Sequence, residues 1–185
     1  MLRRIGAEAR EVRTAEQLRA LDGLIIPGGE STTFCRLMED FHLYEPLRAF
    51  VQSGVPAWGT CAGMIVLARH AGDLPFPTLE AIDIDVDRNA YGRQVDSFEA
   101  DLDIPALGAE PFHAVFIRAP VVTSVGEKAE VLATVQHEDE PPTPVAVRQG
   151  VLLATSFHPE LTTDTRFHRY FLDIVRRQGR PSGAK

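Results

Sequence analysis

Two groups of residues in this sequence have the types and spacing to do chemistry. The first centres on Cys61, in the stretch Val55-Pro-Ala-Trp-Gly-Thr-Cys-Ala-Gly-Met-Ile-Val-Leu-Ala68. A short apolar run ends at Gly59, Cys61 stands between Gly59 and Gly63, and an apolar helical pattern follows at once. That order reads as a strand, a tight turn and a helix, with the thiol at the apex. Gly-x-Cys-x-Gly is the cysteine form of the nucleophile elbow, whose glycines permit a strained turn and close packing of strand on helix. Free N–H groups and the positive end of the following helix favour thiolate over thiol. The backbone N–H of Ala62, one residue on, would face an oxyanion formed on Cys61. A cysteine that merely packs in a strand–helix turn is the plainer alternative.

A thiol nucleophile needs a base, and the chain has six histidines. His42, His70, His113, His137 and His168 fall in helix ends, loops or strand starts with no fixed acidic partner, and read as solvated or packed. His158 differs, because it ends the apolar run of residues 151–157 and is followed by Pro159, which biases it toward extended backbone. In an extended chain positions i and i+2 project to one side, so Glu160 falls beside His158. A carboxylate there accepts the imidazole N–H, fixes its tautomer and stabilises its protonated form. A single His-x-Glu at a strand end is common, and its force comes from combination with the elbow.

Both groups must be carried on a sheet. Residues 24–26 are an apolar run suited to a buried parallel strand, and Pro27-Gly-Gly-Glu-Ser-Thr-Thr33 leads from it into a helix through Phe34, Leu37 and Met38. Gly28 and Gly29 free the backbone to approach a ligand, and Ser31 or Thr32 can cap that helix. Cys61 and His158 would then follow strands at one carboxyl edge, where ligands bind in parallel α/β sheets. Elsewhere Gly6 stops a helix end, residues 9–12 read as a short strand, and Thr14-Ala-Glu-Gln17 is a capping box. A helix over residues 45–53 stops at Gly54. Ile82, Ile84 and Val86 alternate with aspartates as a half-exposed strand, and residues 88–94 read as a loop. Further strands are expected at 97–104, 114–118, 130–135 and 145–147, with 136–143 an exposed hairpin loop. Phe167, Tyr170, Phe171, Ile174 and Val175 form the core-facing stripe of a final helix. One domain over residues 1–178 is expected, with 179–185 a disordered tail.

At 185 residues, 44% hydrophobic and 24% charged, the chain has ordinary globular composition. A net charge of -7 without a Lys/Arg cluster argues against nucleic acid or an anionic membrane surface as partner. No apolar run approaches the length of a membrane span, the first residues lack a signal-peptide core, and the contexts of Cys35 and Cys61 suggest neither a disulfide nor a metal site. A reducing cytoplasm fits these features.

Gly59-Thr-Cys-Ala-Gly63 together with Ser156-Phe-His-Pro-Glu160 resembles the class I glutamine amidotransferase family, whose triad is Cys, His and Glu. Pro27-Gly-Gly-Glu-Ser-Thr-Thr33, Arg88-Asn-Ala-Tyr-Gly-Arg-Gln-Val-Asp-Ser-Phe-Glu-Ala100, Phe116-Ile-Arg-Ala-Pro120 and Ser156-Phe-His-Pro-Glu-Leu-Thr162 resemble one subfamily, the glutaminase subunits of pyridoxal 5'-phosphate synthase. The resemblance implies a three-layer, doubly wound α/β fold around a mostly parallel sheet. It implies hydrolysis of L-glutamine to glutamate and ammonia, with ammonia passed to a synthase subunit in a hetero-oligomer. No cofactor is implied, pyridoxal 5'-phosphate being the product of the complex. By position, Cys61 becomes the nucleophile, His158 the general base and acid, and Glu160 its orienter. Gly29, Glu30, Ser31, Arg88, Ile117 and Arg118 match glutamine-binding positions, and a backbone N–H of the Gly28–Gly29 turn is the second oxyanion donor beside Ala62. A guanidinium suits the substrate α-carboxylate and Glu30 its α-ammonium. Residues 1–9 resemble the end of the family's first helix and the start of its next strand, so the usual first strand and its Ala-Leu-Gln-Gly-type loop are expected to be missing, through a start site placed downstream or through truncation. Two other readings stand beside the glutaminase: a cysteine hydrolase or peptidase of the same fold, and an N-terminally truncated, non-catalytic docking subunit.

Overall fold

The structure, a computed structural model, describes residues 1–88, 97–136 and 141–179. In chain order the first half carries β1 (Leu24–Ile26), α1 (Ser31–Asp40), α2 (Tyr44–Gln52), β2 (Ala57–Thr60), α3 (Ala62–Leu67), β3 (Ala68–Ala71) and β4 (Ile82–Asp87). The second half carries β5 (Ser97–Leu102), β6 (Phe112–Ile117), β7 (Val121–Val125), β8 (Glu130–Val135), β9 (Thr143–Gln149), β10 (Leu152–Thr155) and α4 (Arg166–Gln178).

Two strands without an exposed residue, β2 and β10, lie side by side and parallel, from Ala57 opposite Leu152 to Thr60 opposite Thr155. Continuous apolar runs of this kind are stable where both faces are covered. Here they are. Ala57, Leu152 and Ala154 enter one core with Met38, Leu47 and Val66 of the α1–α3 side. Trp58 and Leu153 enter a second core with Phe112, Phe116, Phe157 and Phe167 on the α4 side. Alternation along a strand thus makes the three layers of the expected α/β fold. The main sheet runs β1-β2-β10-β9-β8, parallel across its first three strands and antiparallel beyond β10. Smaller sheets β3-β4-β7 and β5-β6 flank it.

Several local expectations need correction. Residues 9–12 are not in a strand; they run without a sheet partner, and a strand exists only by pairing. The elbow helix ends at Leu67 and Ala68 opens β3, where the apolar run gives way to the exposed Arg69 and His70 and the chain pairs parallel with β4. β7 went unread, its Val-Val-Thr-Ser-Val being half polar. Thr14 and Gln17 do form the capping arrangement, with the Thr14 N–H donating to Gln17 Oε1 at 3.2 Å, but the helix they open, Ala15–Ala20, is 3-10. The loop expected over 88–94 lies outside the described residues after Arg88, and the tail expected over 179–185 does so after Gly179. The hairpin loop expected over 136–143 lies outside the described residues at 137–140, while its flanks, β8 and β9, pair antiparallel.

Among the described residues, β1 pairs on one side alone, with β2. Beside its other edge runs a groove of about 1160 Å³, lined by Leu2, Val12, Ile25, Phe34, Leu37 and Phe171 among others. This groove includes neither Cys61 nor His158.

Candidate active site

Cys61 occupies the single step between β2 and α3, with φ 50° and ψ −108°. An L-residue there is strained by on the order of 1–3 kcal/mol, and persists when its surroundings over-determine it. They do so through the flanking glycines and one hydrogen bond. A Cβ on Gly59 would run into the carbonyl of Gly63, and a Cβ on Gly63 into the carbonyl of Ile26 in β1. The Cys61 N–H donates to the Thr155 carbonyl of β10 at 2.8 Å. Ala62 is the first residue of α3, where a backbone N–H has no intrahelical acceptor.

His158 lies three residues beyond β10, and its N–H donates to the Val115 carbonyl of β6 at 2.9 Å. Its Nδ1 is 2.8 Å from Glu160 Oε1. The expected pairing is present, but its geometry differs from the extended chain argued above. Pro159–Leu161 is a 3-10 turn, and the turn folds the carboxylate back onto the ring. The other partner of the imidazole is the Cys61 sulfur, to which the protonated ring donates. That hydrogen bond, then the one to Glu160, pushes the His158 pKa up to about 10 against the opposing effect of burial. Burial, the largest single influence, would raise the Glu160 pKa, but the His158 hydrogen bond, a backbone hydrogen bond and the charges of His158 and His168 together outweigh it and the carboxyl is lowered. Cys61 Sγ also lies 3.8 Å from the Ile117 carbonyl at the end of β6. The next residue, Arg118, is exposed with φ 42°, a second left-handed non-glycine backbone at the site.

The loop after β1 closes the opposite wall. A Cβ on Gly28 would strike His158 Cε1 and come within 3.2 Å of Cys61 Cβ, so this glycine touches nucleophile and base together. Gly29, with φ 145°, is exposed, and Ser31 is buried at the start of α1. The expected cap by Ser31 or Thr32 is not what forms. Glu30 is the N-cap, accepting from the N–H groups of Thr32 at 2.9 Å and Thr33 at 2.7 Å and from the Thr33 hydroxyl at 2.7 Å. The Thr33 hydroxyl, followed by those two N–H groups, holds the Glu30 pKa at about 2. Arg88 follows β4, donates to the Asp73 carbonyl and to Thr32 Oγ1, both at 3.2 Å, and leaves its Nε buried without a partner. Arg88 therefore stands at the N-terminus of α1 with a donor unspent.

Cys35 is buried on α1 and its thiol is pushed up to about 11, first by burial, which separates it chemically from Cys61. Among the other histidines one reading is corrected. His113 has two acidic partners, Asp101 at 2.8 Å and Glu99 at 2.9 Å, because β5–β6 register places Asp101 opposite it. His168 is packed, as expected, and His137 lies outside the described residues. Sequence reasoning missed Thr155, whose carbonyl holds the nucleophile; the signal was the matching length of the runs ending at Thr60 and Thr155.

The fold and this site define an α/β protein with a cysteine at a nucleophile elbow and a His–Glu pair just beyond the neighbouring strand. Residues 1–177 match the model of the SNO glutamine amidotransferase family, and the chain belongs to that family. A protein of Frankia alni named pyridoxal 5'-phosphate synthase subunit PdxT is 56% identical over 177 residues, covering 95% of this chain and 86% of that one. A protein of Moorella thermoacetica with the same name is 53% identical, covering 94% and 90%. A solved structure described as a glutamine amidotransferase aligns with a TM-score of 0.84 at 49% identity, covering 95% of this chain and 90% of that one. Among the described residues no helix is long and apolar enough to cross a membrane.

Proposed function

We infer that this chain hydrolyses L-glutamine to glutamate and ammonia, as the glutaminase subunit of a pyridoxal 5'-phosphate synthase. One observation carries the reading: a strained Cys61 hydrogen-bonded to His158, itself held by Glu160, in a member of the SNO glutamine amidotransferase family. His158 already holds the proton of Cys61, and Cys61 Sγ attacks the substrate carboxamide carbon as the thiolate. The resulting oxyanion meets the N–H of Ala62 and an N–H of the Gly28–Gly29 turn. His158 returns the proton to the departing nitrogen, ammonia leaves, and a thioester remains on Cys61. Water, deprotonated by His158, then releases glutamate and restores the thiol. Glu160 keeps the imidazole oriented and supports its charged form in both halves.

The substrate's α-carboxylate is assigned to Arg88, whose unpaired buried Nε supports that role, with Arg118 and the Ile117 backbone, whose carbonyl lies 3.8 Å from the thiol, completing the substrate contacts. Glu30 keeps its charge at any working pH, which suits an α-ammonium, while Gly29 and Ser31 shape the wall between. The chemistry calls on no cofactor. We place the reaction in one domain over residues 1–178, in the cytoplasm, with ammonia delivered to the synthase subunit. The test is ammonia release from glutamine with and without that subunit. Release that depends on it and is lost in Cys61→Ala is expected. Equal release by wild type and Cys61→Ala in the complex refutes the glutaminase and leaves a docking subunit; release from peptides but not glutamine favours the hydrolase reading.

A further inference from the structure

Behind the triad, on the α4 side of the sheet, lies a buried polar contact that the chemistry above does not use. Trp58 and Thr155 are both fully buried, and the indole N–H of Trp58 donates to the Thr155 hydroxyl at 3.2 Å. The two residues sit on neighbouring strands, β2 and β10, two strand positions out of direct opposition and so on the same face, since Trp58 faces Leu153 and Thr60 faces Thr155. Each is three residues ahead of a reacting group, Trp58 before Cys61 and Thr155 before His158.

Thr155 is joined to Cys61 and to the residue before His158. Its carbonyl accepts the Cys61 N–H at 2.8 Å. Its hydroxyl faces the carbonyl of Phe157, the residue preceding His158, at 3.5 Å. The indole is itself immobilised. Phe167 stacks on it at 5.5 Å, His168 meets it edge-on at 5.1 Å, and Phe171 lies at 5.7 Å, all from α4. Leucine at 58 with valine at 155 would fill a sheet core without a polar atom, so packing alone does not call for this pair. What the pair adds is direction: an N–H···O bond sets one separation between strands where apolar contact tolerates several.

We propose that Trp58 and Thr155 are positioning residues, a brace clamped by α4 that fixes the distance between the Cys61 sulfur and the His158 imidazole. The proposal rests on the glutaminase reading and deepens it. Neither residue touches substrate, so loosening the brace acts on kcat and spares KM, which is set by the α1 end of the site.

The test uses the complex with the synthase subunit and steady-state ammonia release from glutamine. Thr155→Val keeps the β-branched shape and deletes the hydroxyl; kcat is expected to fall about 10- to 100-fold, as for a displacement on the order of 1 Å, with KM changed less than about twofold. Thr155→Ser, which restores the hydroxyl, is expected to recover most of that loss. The double variant Trp58→Phe/Thr155→Val leaves no buried donor unpaired, and its kcat should be no lower than that of the worse single variant. Should Thr155→Val not fold, the serine and double variants decide: near wild-type kcat in serine with a folded but slow double variant supports the brace. A folded Thr155→Val with kcat within twofold of wild type overturns it, as does equal loss in the serine and valine variants. Absence of ammonia release by wild type would instead strike the glutaminase reading itself.

Discussion

Replacing Gly28 by alanine should separate catalysis from stability at this site. Gly28 has ordinary backbone, outside the left-handed region, so alanine brings no conformational strain. The new Cβ would lie 3.1 Å from His158 Nδ1 and 3.2 Å from Cys61 Cβ, and closer still to His158 Cε1. Carbon contacts settle near 3.5–4.0 Å, so the ring must withdraw by on the order of 1 Å. His158 is a side chain at the rim and can yield, which keeps the cost to folding small. The reaction cannot yield, because the imidazole must stay against the Cys61 sulfur and reach the departing nitrogen; a misplacement of that size costs about 100-fold. Ammonia release by the complex should thus lose about two orders of magnitude in kcat, with a thermal midpoint within a few degrees of wild type. Wild-type turnover in Gly28→Ala, or collapse of its melting temperature, would refute this account of the loop as the wall against the dyad.

Three further outcomes are expected. Cys61→Gly removes the left-handed strain and should stabilise the fold by about 1–3 kcal/mol, read as a higher melting temperature, while abolishing ammonia release. Glu30→Ala removes the α1 cap and should cost about 1 kcal/mol in a denaturant melt, together with a raised KM for glutamine. The His168 imidazole is held below the ordinary histidine range, first by burial, then by the N-terminal ammonium, against the opposing charge of Glu160. The unfolded chain then binds this proton more readily than the folded one, so stability is intact above pH 6.5 and falls as pH drops below it. His168→Phe should flatten that fall between pH 7 and pH 5, and an unchanged slope would contradict it.

The elbow was legible because its constraints are local: Gly59 and Gly63 are demanded by atoms of the turn and of the strand beside it, and any sequence making this turn needs them. The His158–Glu160 pair was legible for a less secure reason. The two residues do meet, yet through a 3-10 turn and not along an extended strand, so the argument found the right partner by the wrong path. Arg88, Ile117 and Arg118 could be placed only through family resemblance. Their approach to Cys61 and α1 is decided by how β4 and β6 pack, which no local pattern encodes. The acidic clamp on His113 was missed for the same cause, since it exists in cross-strand register. Glu30 displaced Ser31 as helix cap because its longer side chain spans two N–H groups at once, a choice that depends on where the helix begins.

Trp58 and Thr155 lie 97 residues apart in the chain yet hold adjacent strands together. Every element from α3 to β9 is therefore a loop that must close before a thiol meets an imidazole. Closing a loop of that length costs entropy that nearby helices, α3 among them, do not pay. Hydrolysis is in this sense a long-range measurement made by the molecule on itself. During refolding, ammonia release reports the arrival of β10 against β2, and a helical signal that recovers earlier says nothing about the enzyme.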